Sequence, residues 1–295
     1  MDREKINLEK VMDLRLAGKS FVSAASGLVK LGSDFFAVAD DDLGVFSWPA
    51  DSNDSVSFIK LRDGTLPVEH KARKAQKPDW ESLVTLPDHS MLVVPSGSTP
   101  NRQLGFQIKF NNCQMISKTE IDFSDVYGFL NSKIADLNIE GSAVIGDTFK
   151  LFQRGNGAQG RNAVIDLNLA GVIDDISSAR KIGKNRVKVI KLVELGLLGT
   201  AKLTFTDACV FKNQIYFLAA AEETASTYDD GKFIGAVLGL LNENNEVVTM
   251  FDLECPFKPE GLWIEEGASG DICYLVTDAD DPTQPSGLYR AVLKN

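Results

Sequence analysis

Apolar and polar residues alternate along this chain in short bursts that end at clusters of glycine, proline, asparagine or aspartate. Alternation with a period of two puts one face of a segment inside and the other outside, which is the behaviour of a β-strand. Between 78 and 121 the pattern predicts strands at 82–86, 90–94, 104–110 and 114–121, with Pro-Asp-His and Pro-Ser-Gly-Ser-Thr-Pro-Asn as turns. The same reading predicts strands at 142–145, 149–153, 162–169 and 186–195, then at 208–211, 215–220, 234–241 and 246–253. An earlier set falls at 27–31, 35–38, 45–48 and 56–61.

Each set opens in the same way. An acid stands just before the first apolar run in "PDWESLV" (Glu81), "NIEGSAV" (Glu140), "TFTDACV" (Asp207) and "KPEGLWI" (Glu260), and Ser26 takes that place in "SAASGLV". From 26 to 81, 81 to 140, 140 to 207 and 207 to 260 the intervals are 55, 59, 67 and 53 residues, and five such intervals use up the whole chain. Each is long enough for one four-stranded propeller blade. The predicted fold is therefore all-β: a five-bladed β-propeller with four antiparallel strands per blade, one domain over residues 1–295. Only three strands follow Glu260, at 261–264, 272–276 and 287–292, so "INLEKVMDLRLAG" near the N-terminus is expected to complete the last blade and cover its edge. A pair of β-sandwiches is the competing architecture, but sandwiches have no reason to repeat one motif five times.

The first strand of an up-and-down blade is the innermost, so its leading residue lies at one mouth of the central channel. Ser26, Glu81, Glu140, Asp207 and Glu260 are thus expected to form a ring. Carboxylates crowded together raise one another's pKa and destabilise the fold unless a cation neutralises them. An all-oxygen cage suits Ca²⁺, whereas Mg²⁺ demands a tighter octahedron and Zn²⁺ prefers nitrogen or sulfur. The alternative is that the acids cap strand-start amides or share protons and water without a metal.

One oxygen-bearing side chain per blade, converging on a central ion, resembles the calcium-activated nucleotidases, or apyrases. The likeness rests on Ser26, Glu81, Glu140 and Glu260 and on "SGLVKLGSDFFAVADD"; Asp207 departs from it, standing where that family has serine. The chain also resembles an uncharacterised bacterial family related to the phytase-like and SdiA-regulated propellers, whose inner strands begin with Glu-Gly. The resemblance implies a calcium-bearing scaffold and leaves the reaction open.

Loops after the second strand of each blade return to the mouth, at 39–44, 95–103, 153–162, 220–233 and 277–287. They carry Arg102, Arg154 and Arg161, which could grip a phosphate or carboxylate; alternatively Arg154 and Arg161 pair with acids such as Asp41, Asp42 or Asp280. Asp278, Asp280 and Asp281 read as turn formers or rim acids, since "TDADDP" lacks the glycine and terminal glutamate of an EF-hand loop. His70 lies in a basic connection on the mouth side and could act as an acid or base; His89 falls in a turn on the opposite face. Tyr228 and Phe233 are the few aromatic residues of these loops.

A net charge of −10 argues against nucleic acid and anionic membranes as partners, and no apolar stretch is long enough to span a bilayer. No secretory leader is visible, so the reading is a cytoplasmic monomer, unless a leader has been trimmed. Cys113, Cys209, Cys255 and Cys273 show no metal-binding spacing and read as small buried thiols. GxSxG, HExxH and P-loop patterns are absent. Two functional readings follow: a calcium-binding propeller that takes a small anionic ligand or a partner at its mouth, and a calcium-dependent hydrolase of a phosphorylated small molecule. A glycosidase built on paired carboxylates is a third.

Overall fold

The computed structural model describes residues 3–18, 20–51, 55–111, 114–157, 159–223 and 231–293; Cys113, Tyr228 and the side chain of His70 lie outside that set. Five antiparallel sheets follow one another along the chain as the blades of a propeller. Their inner strands are Ala25–Leu31, Trp80–Thr85, Ile139–Ile145, Ala201–Phe211 and Lys258–Gly267. In each of the first four blades three further strands run outward in sequence order.

The fifth blade is closed by the N-terminal segment, as its strand count requires. Glu9–Asp13 pairs antiparallel with Gly287–Leu293, aligning Glu9 with Arg290 and Asp13 with Gly287. Just before it, Lys5–Asn7 lies parallel to Val247–Glu254 on the outer edge of blade 4. One short segment thus covers two exposed edges that would otherwise invite pairing with other chains.

The interior is not one central core. Buried apolar side chains form five clusters, each between two neighbouring blades: Phe36, Trp80 and Phe106 between blades 1 and 2, and Phe152, Phe205 and Phe217 between blades 3 and 4, are typical. Phe35 of blade 1 meets Tyr274 of blade 5 with ring centroids 4.9 Å apart, so the closing interface is packed like the others. Each fully buried aromatic of this kind contributes about 1.5–3 kcal/mol through the water it leaves.

Three helices stand where the alternation pattern predicts none: His70–Gln76, Ser124–Asn131 and Leu169–Ser178. The last two bury Val126, Tyr127, Leu130, Val172 and Ile176 against the wedge between blades 2 and 3, and Asn168 caps Leu169–Ser178 by accepting from Gly171 N–H. Free, buried Cys209 and Cys273 match the reading of small apolar thiols, and Cys255 is half-buried. His89, with φ 61°, is exposed in its turn. Among the described residues no helix is long and apolar enough to cross a membrane.

Every inner strand carries a register shift near its start, between Ser26 and Leu28, Trp80 and Ser82, Ile139 and Gly141, Phe205 and Asp207, and Pro259 and Gly261. A bulge of this type adds one residue and re-aims a side chain. It also brings the five strands so close at the axis that little room is left beyond the backbone. A Cβ on Gly27, whose φ is +57°, would lie 2.7 Å from Leu83 N, and one on Gly141 would lie 3.0 Å from Ala208 N.

Gly27→Ala is therefore expected to cost about 2–4 kcal/mol, the left-handed backbone penalty plus overpacking. Gly146→Ala, where φ is +55° but nothing lies within 4 Å, should cost only the backbone share, about 1–2 kcal/mol. Urea denaturation of the two variants checks the difference; equal losses would refute close packing at the axis.

Candidate functional site

The bulges define two stacked layers at the mouth. In blades 2 to 5 the residue left unpaired at the shift is Glu81, Glu140, Thr206 and Glu260, whereas in blade 1 it is Gly27, and Ser26, the residue before it, still pairs with Val38. Gly27, Ser82, Gly141, Asp207 and Gly261 form the layer beneath. Asp207 is therefore not the ring residue of blade 4. It stands one residue deeper, among three glycines and a serine, and Thr206 holds the ring position. Physically, Asp207 fills axial space that the glycines leave open and accepts the Leu262 N–H at 2.8 Å, which is the amide-capping alternative realised at one position. Its Oδ1 is buried without a hydrogen bond, and burial pushes the carboxyl well above the usual carboxylate range.

The two ring hydroxyls stitch neighbouring blades rather than point at a common centre. Ser26 Oγ donates to Glu81 O at 2.7 Å, and Thr206 Oγ1 donates to Pro259 O at 2.7 Å. The three glutamates are almost completely buried, and burial raises the pKa of each.

Protein cations answer most of this charge. Arg154 Nη1 lies 3.3 Å from Glu140 Oε1 and its Nη2 2.6 Å from Glu222 Oε2. Lys258 Nζ sits among Glu222 at 3.1 Å, Glu260 at 3.0 Å and Asp280 at 3.2 Å. Burial works against charge on Lys258, yet Glu260 and its other acidic neighbours hold its pKa well above the ordinary lysine value. Lys77 pairs with Asp40 and, at 2.9 Å, with Asp79 Oδ1. Arg102 Nη1 reaches Asp79 Oδ2 at 2.8 Å, where Ser96 Oγ also donates at 2.5 Å.

Besides Asp207, two carboxylates remain outside these pairs among the described residues. Asp278, beside Asp280, is pushed up to about 8, chiefly by burial. The carboxylate of Glu81, a residue only 6% exposed, makes no hydrogen bond or ion pair among the described residues. Burial raises its pKa well above the glutamate value, and repulsion from Glu140, Asp79 and Asp40 adds to the rise. Its carboxylate turns toward blade 1: ligand oxygens of Asp40, Asp79 and Glu81 lie within 4.8 Å of one another, the only such trio among the described residues. Glu140, Asp207 and Glu260 do not converge so closely. Among the described residues the close trio therefore joins blades 1 and 2, and of the five residues expected to form the ring it includes Glu81.

Of the arginines expected to hold an anion, Arg102 and Arg154 are committed to carboxylates, though not to Asp41, Asp42 or Asp280; Asp41 pairs instead with Arg73. Arg161 is exposed and lies away from the ring, on a cleft of about 830 Å³ between blades 3 and 4 that Lys133 and Lys202 also line. Asp278 and Asp281 accept backbone N–H groups within their turn, as turn formers do, while Asp280 reaches Lys258.

Sequence reasoning missed Lys77, Asp79, Glu222 and Lys258. A signal existed for two of them. Two residues before each ring position stand Ala24, Asp79, Asn138, Thr204 and Lys258, and the period of two places the polar ones beside the ring. Asn138 follows this rule by donating to the Glu140 carboxylate.

Solved structures share this architecture. Glutaminyl cyclase from Myxococcus xanthus is 11% identical with a TM-score of 0.53, over 99% of this chain and 100% of that one. A luciferin-regenerating enzyme is 8% identical with a TM-score of 0.52, over 97% and 95%. The α-L-arabinofuranosidase of Podospora anserina is 10% identical with a TM-score of 0.51, over 99% and 97%. At such identities the likeness is one of fold. None of the curated proteins compared with the chain matches it. By its sequence over residues 21–293 the chain belongs to a family of unknown function (DUF6929), a membership that ties it to neither the apyrases nor the phytase-like propellers.

Proposed function

We propose that this protein is a calcium-binding propeller whose ion is taken up at the acidic mouth. The observation that carries the reading is an imbalance of buried charge. Buried Asp79, Glu81, Glu140, Asp207, Glu260 and Asp278 meet half-buried Asp40 and Glu222 and, at the rim, exposed Asp280 in one network, and among the described residues Lys77, Arg102, Arg154 and Lys258 oppose them. Buried carboxylates in such excess must take up protons or a cation. The donors are oxygens, which favours Ca²⁺ over Zn²⁺, and the side chains come from separate blades, so an ion would tie blades together.

A binding role is preferred to phosphoryl hydrolysis. The guanidinium groups that would steady a phosphate, Arg102 and Arg154, already hold carboxylates, and the surrounding acids repel an anion.

Metal analysis of the purified protein should find calcium, and millimolar Ca²⁺ should raise Tm above that in chelator. At a hundredfold excess over Kd the stabilisation is about 2.7 kcal/mol, or roughly 4 °C for a chain of this size. A Tm unmoved by complete chelation and by Ca²⁺ would sink the reading.

The pH dependence of the chelated protein follows from Asp278. The folded state keeps its proton to about pH 8, whereas the unfolded chain releases it near the ordinary aspartate value of 3.8. The folded state then binds more protons through this window, so stability falls as pH rises from about 4 to about 8. Asp278→Asn should match the wild type near pH 4 and exceed it at pH 8 by at least about 1.4 kcal/mol, the equivalent of one pKa unit. Denaturant titrations at the two pH values measure this; a variant less stable than wild type at pH 8 would contradict it.

A further inference from the structure

Resting on the calcium reading, the geometry points to a specific seat and a built-in competitor: we infer that Asp40, Asp79 and Glu81 hold the ion, and that the Lys77 ammonium occupies this seat until the ion displaces it. Three observations lead there. Carboxylate oxygens of the trio lie within 4.8 Å of one another, a spread that oxygen ligands about 2.3–2.6 Å from a common Ca²⁺ can match. Glu81 is buried at 6% exposure, and its carboxylate, without a hydrogen bond or ion pair among the described residues, is aimed into the trio. Lys77 already lies between the other two members, paired with Asp40 and 2.9 Å from Asp79 Oδ1.

Charge decides between the occupants. Three carboxylates face one fixed cation, Arg102, which sits on the far oxygen of Asp79 together with Ser96 and Ser98 and leaves Oδ1 open to the seat. The remaining excess is two negative charges. Lys77 supplies one positive charge, and Glu81 is the carboxylate left without a partner. A divalent ion supplies two and leaves none unmatched.

Lys77 is also placed to withdraw. It is the residue after the short helix His70–Gln76, held by its N–H to Arg73 O, and it precedes Pro78, which keeps its backbone extended. Its side chain is 12% exposed, between Asp40 at 21% and Asp79 at 4%, so the seat lies close to solvent on the Asp40 side. The asymmetry makes the trio a cation site of tunable affinity, with the competitor's tether in the connection between blades 1 and 2.

Isothermal titration with CaCl₂ on the full chain tests this. Lys77→Met, which removes the charge and keeps the stem, should tighten Ca²⁺ binding by about tenfold or more, and Lys77→Gln should do likewise; Lys77→Arg should stay within about threefold of wild type. Glu81→Gln should abolish the event. If the wild type binds but the Met and Gln variants bind no better, Lys77 is no competitor and the inference falls. If Glu81→Gln binds like the wild type while Glu140→Gln does not, the ion sits on the axis and the seat is wrong, with the calcium reading intact. If neither wild type nor Lys77→Met binds, the calcium reading itself fails. Circular dichroism confirms that each variant compared is folded.

Discussion

One extra residue at the start of each inner strand governs this molecule. The bulge falls at Glu81, Glu140, Thr206 and Glu260 in blades 2 to 5 and at Gly27, just after Ser26, in blade 1, and Gly27, Gly141 and Gly261 pack closely against the neighbouring inner strands. Apolar packing in a propeller lies between blades, so the axis must be held by backbone approach and polar stitching instead. The hydroxyl of Ser26 on Glu81 O, that of Thr206 on Pro259 O and the Asp207 carboxylate on Leu262 N–H each cross from one blade to the next. Where the axis could accept bulk it accepts a single aspartate, and the glycines around it are the condition for that.

Carboxylates aimed into such a place carry a desolvation cost, and the protein offsets it by a repeated device. Arg154 bridges Glu140 to Glu222, Lys258 bridges Glu222 to Glu260 and Asp280, and Lys77 bridges Asp40 to Asp79. Each cation serves more than one acid, so the network is short of positive charge by construction. Buried ion pairs of this kind add little net stability, because desolvation consumes most of the Coulomb gain. Their value lies in fixing where the shortfall falls. It falls on Glu81 and Asp278, at the sector spanning blades 1, 2 and 5.

Much of the fold was legible because it is written in periodic features. Alternation marked the strands, the recurring acid marked the blades, and the strand missing after Glu260 pointed to the N-terminal segment. The site was legible only in part. An acid in "TFTDACV" looks equivalent to Glu81, yet the bulge shifts equivalence by one and makes Thr206 the ring residue; intervals of 66 and 54 residues fit as well as 67 and 53. Spacing within a few residues cannot resolve a register that backbone pairing decides. The partners Lys77 and Glu222 were hidden for another reason: one lies just past a short helix in a connection, the other at the far end of a second strand, and only the closed ring brings them to the mouth. Helices such as Ser124–Asn131 were obscured because eight residues of amphipathic pattern inside a β-rich chain look like one more burst.

The same constraint separates the cation reading from the anion reading. Arginines in glycine-rich loops suggested an anion site when each was weighed alone. Closing the ring brings Arg102 and Arg154 within reach of acids on their own and neighbouring blades, and a buried guanidinium beside a carboxylate will pair with it rather than wait for a ligand. Arg161 escapes this fate because its loop points into the cleft between blades 3 and 4, away from the glutamates. Among the described residues Arg161 thus stands outside the ring, while the unmatched charge inside it is negative. A ligand that enters the mouth must bring positive charge of its own, and the ring's geometry, rather than the composition of its loops, sets that sign.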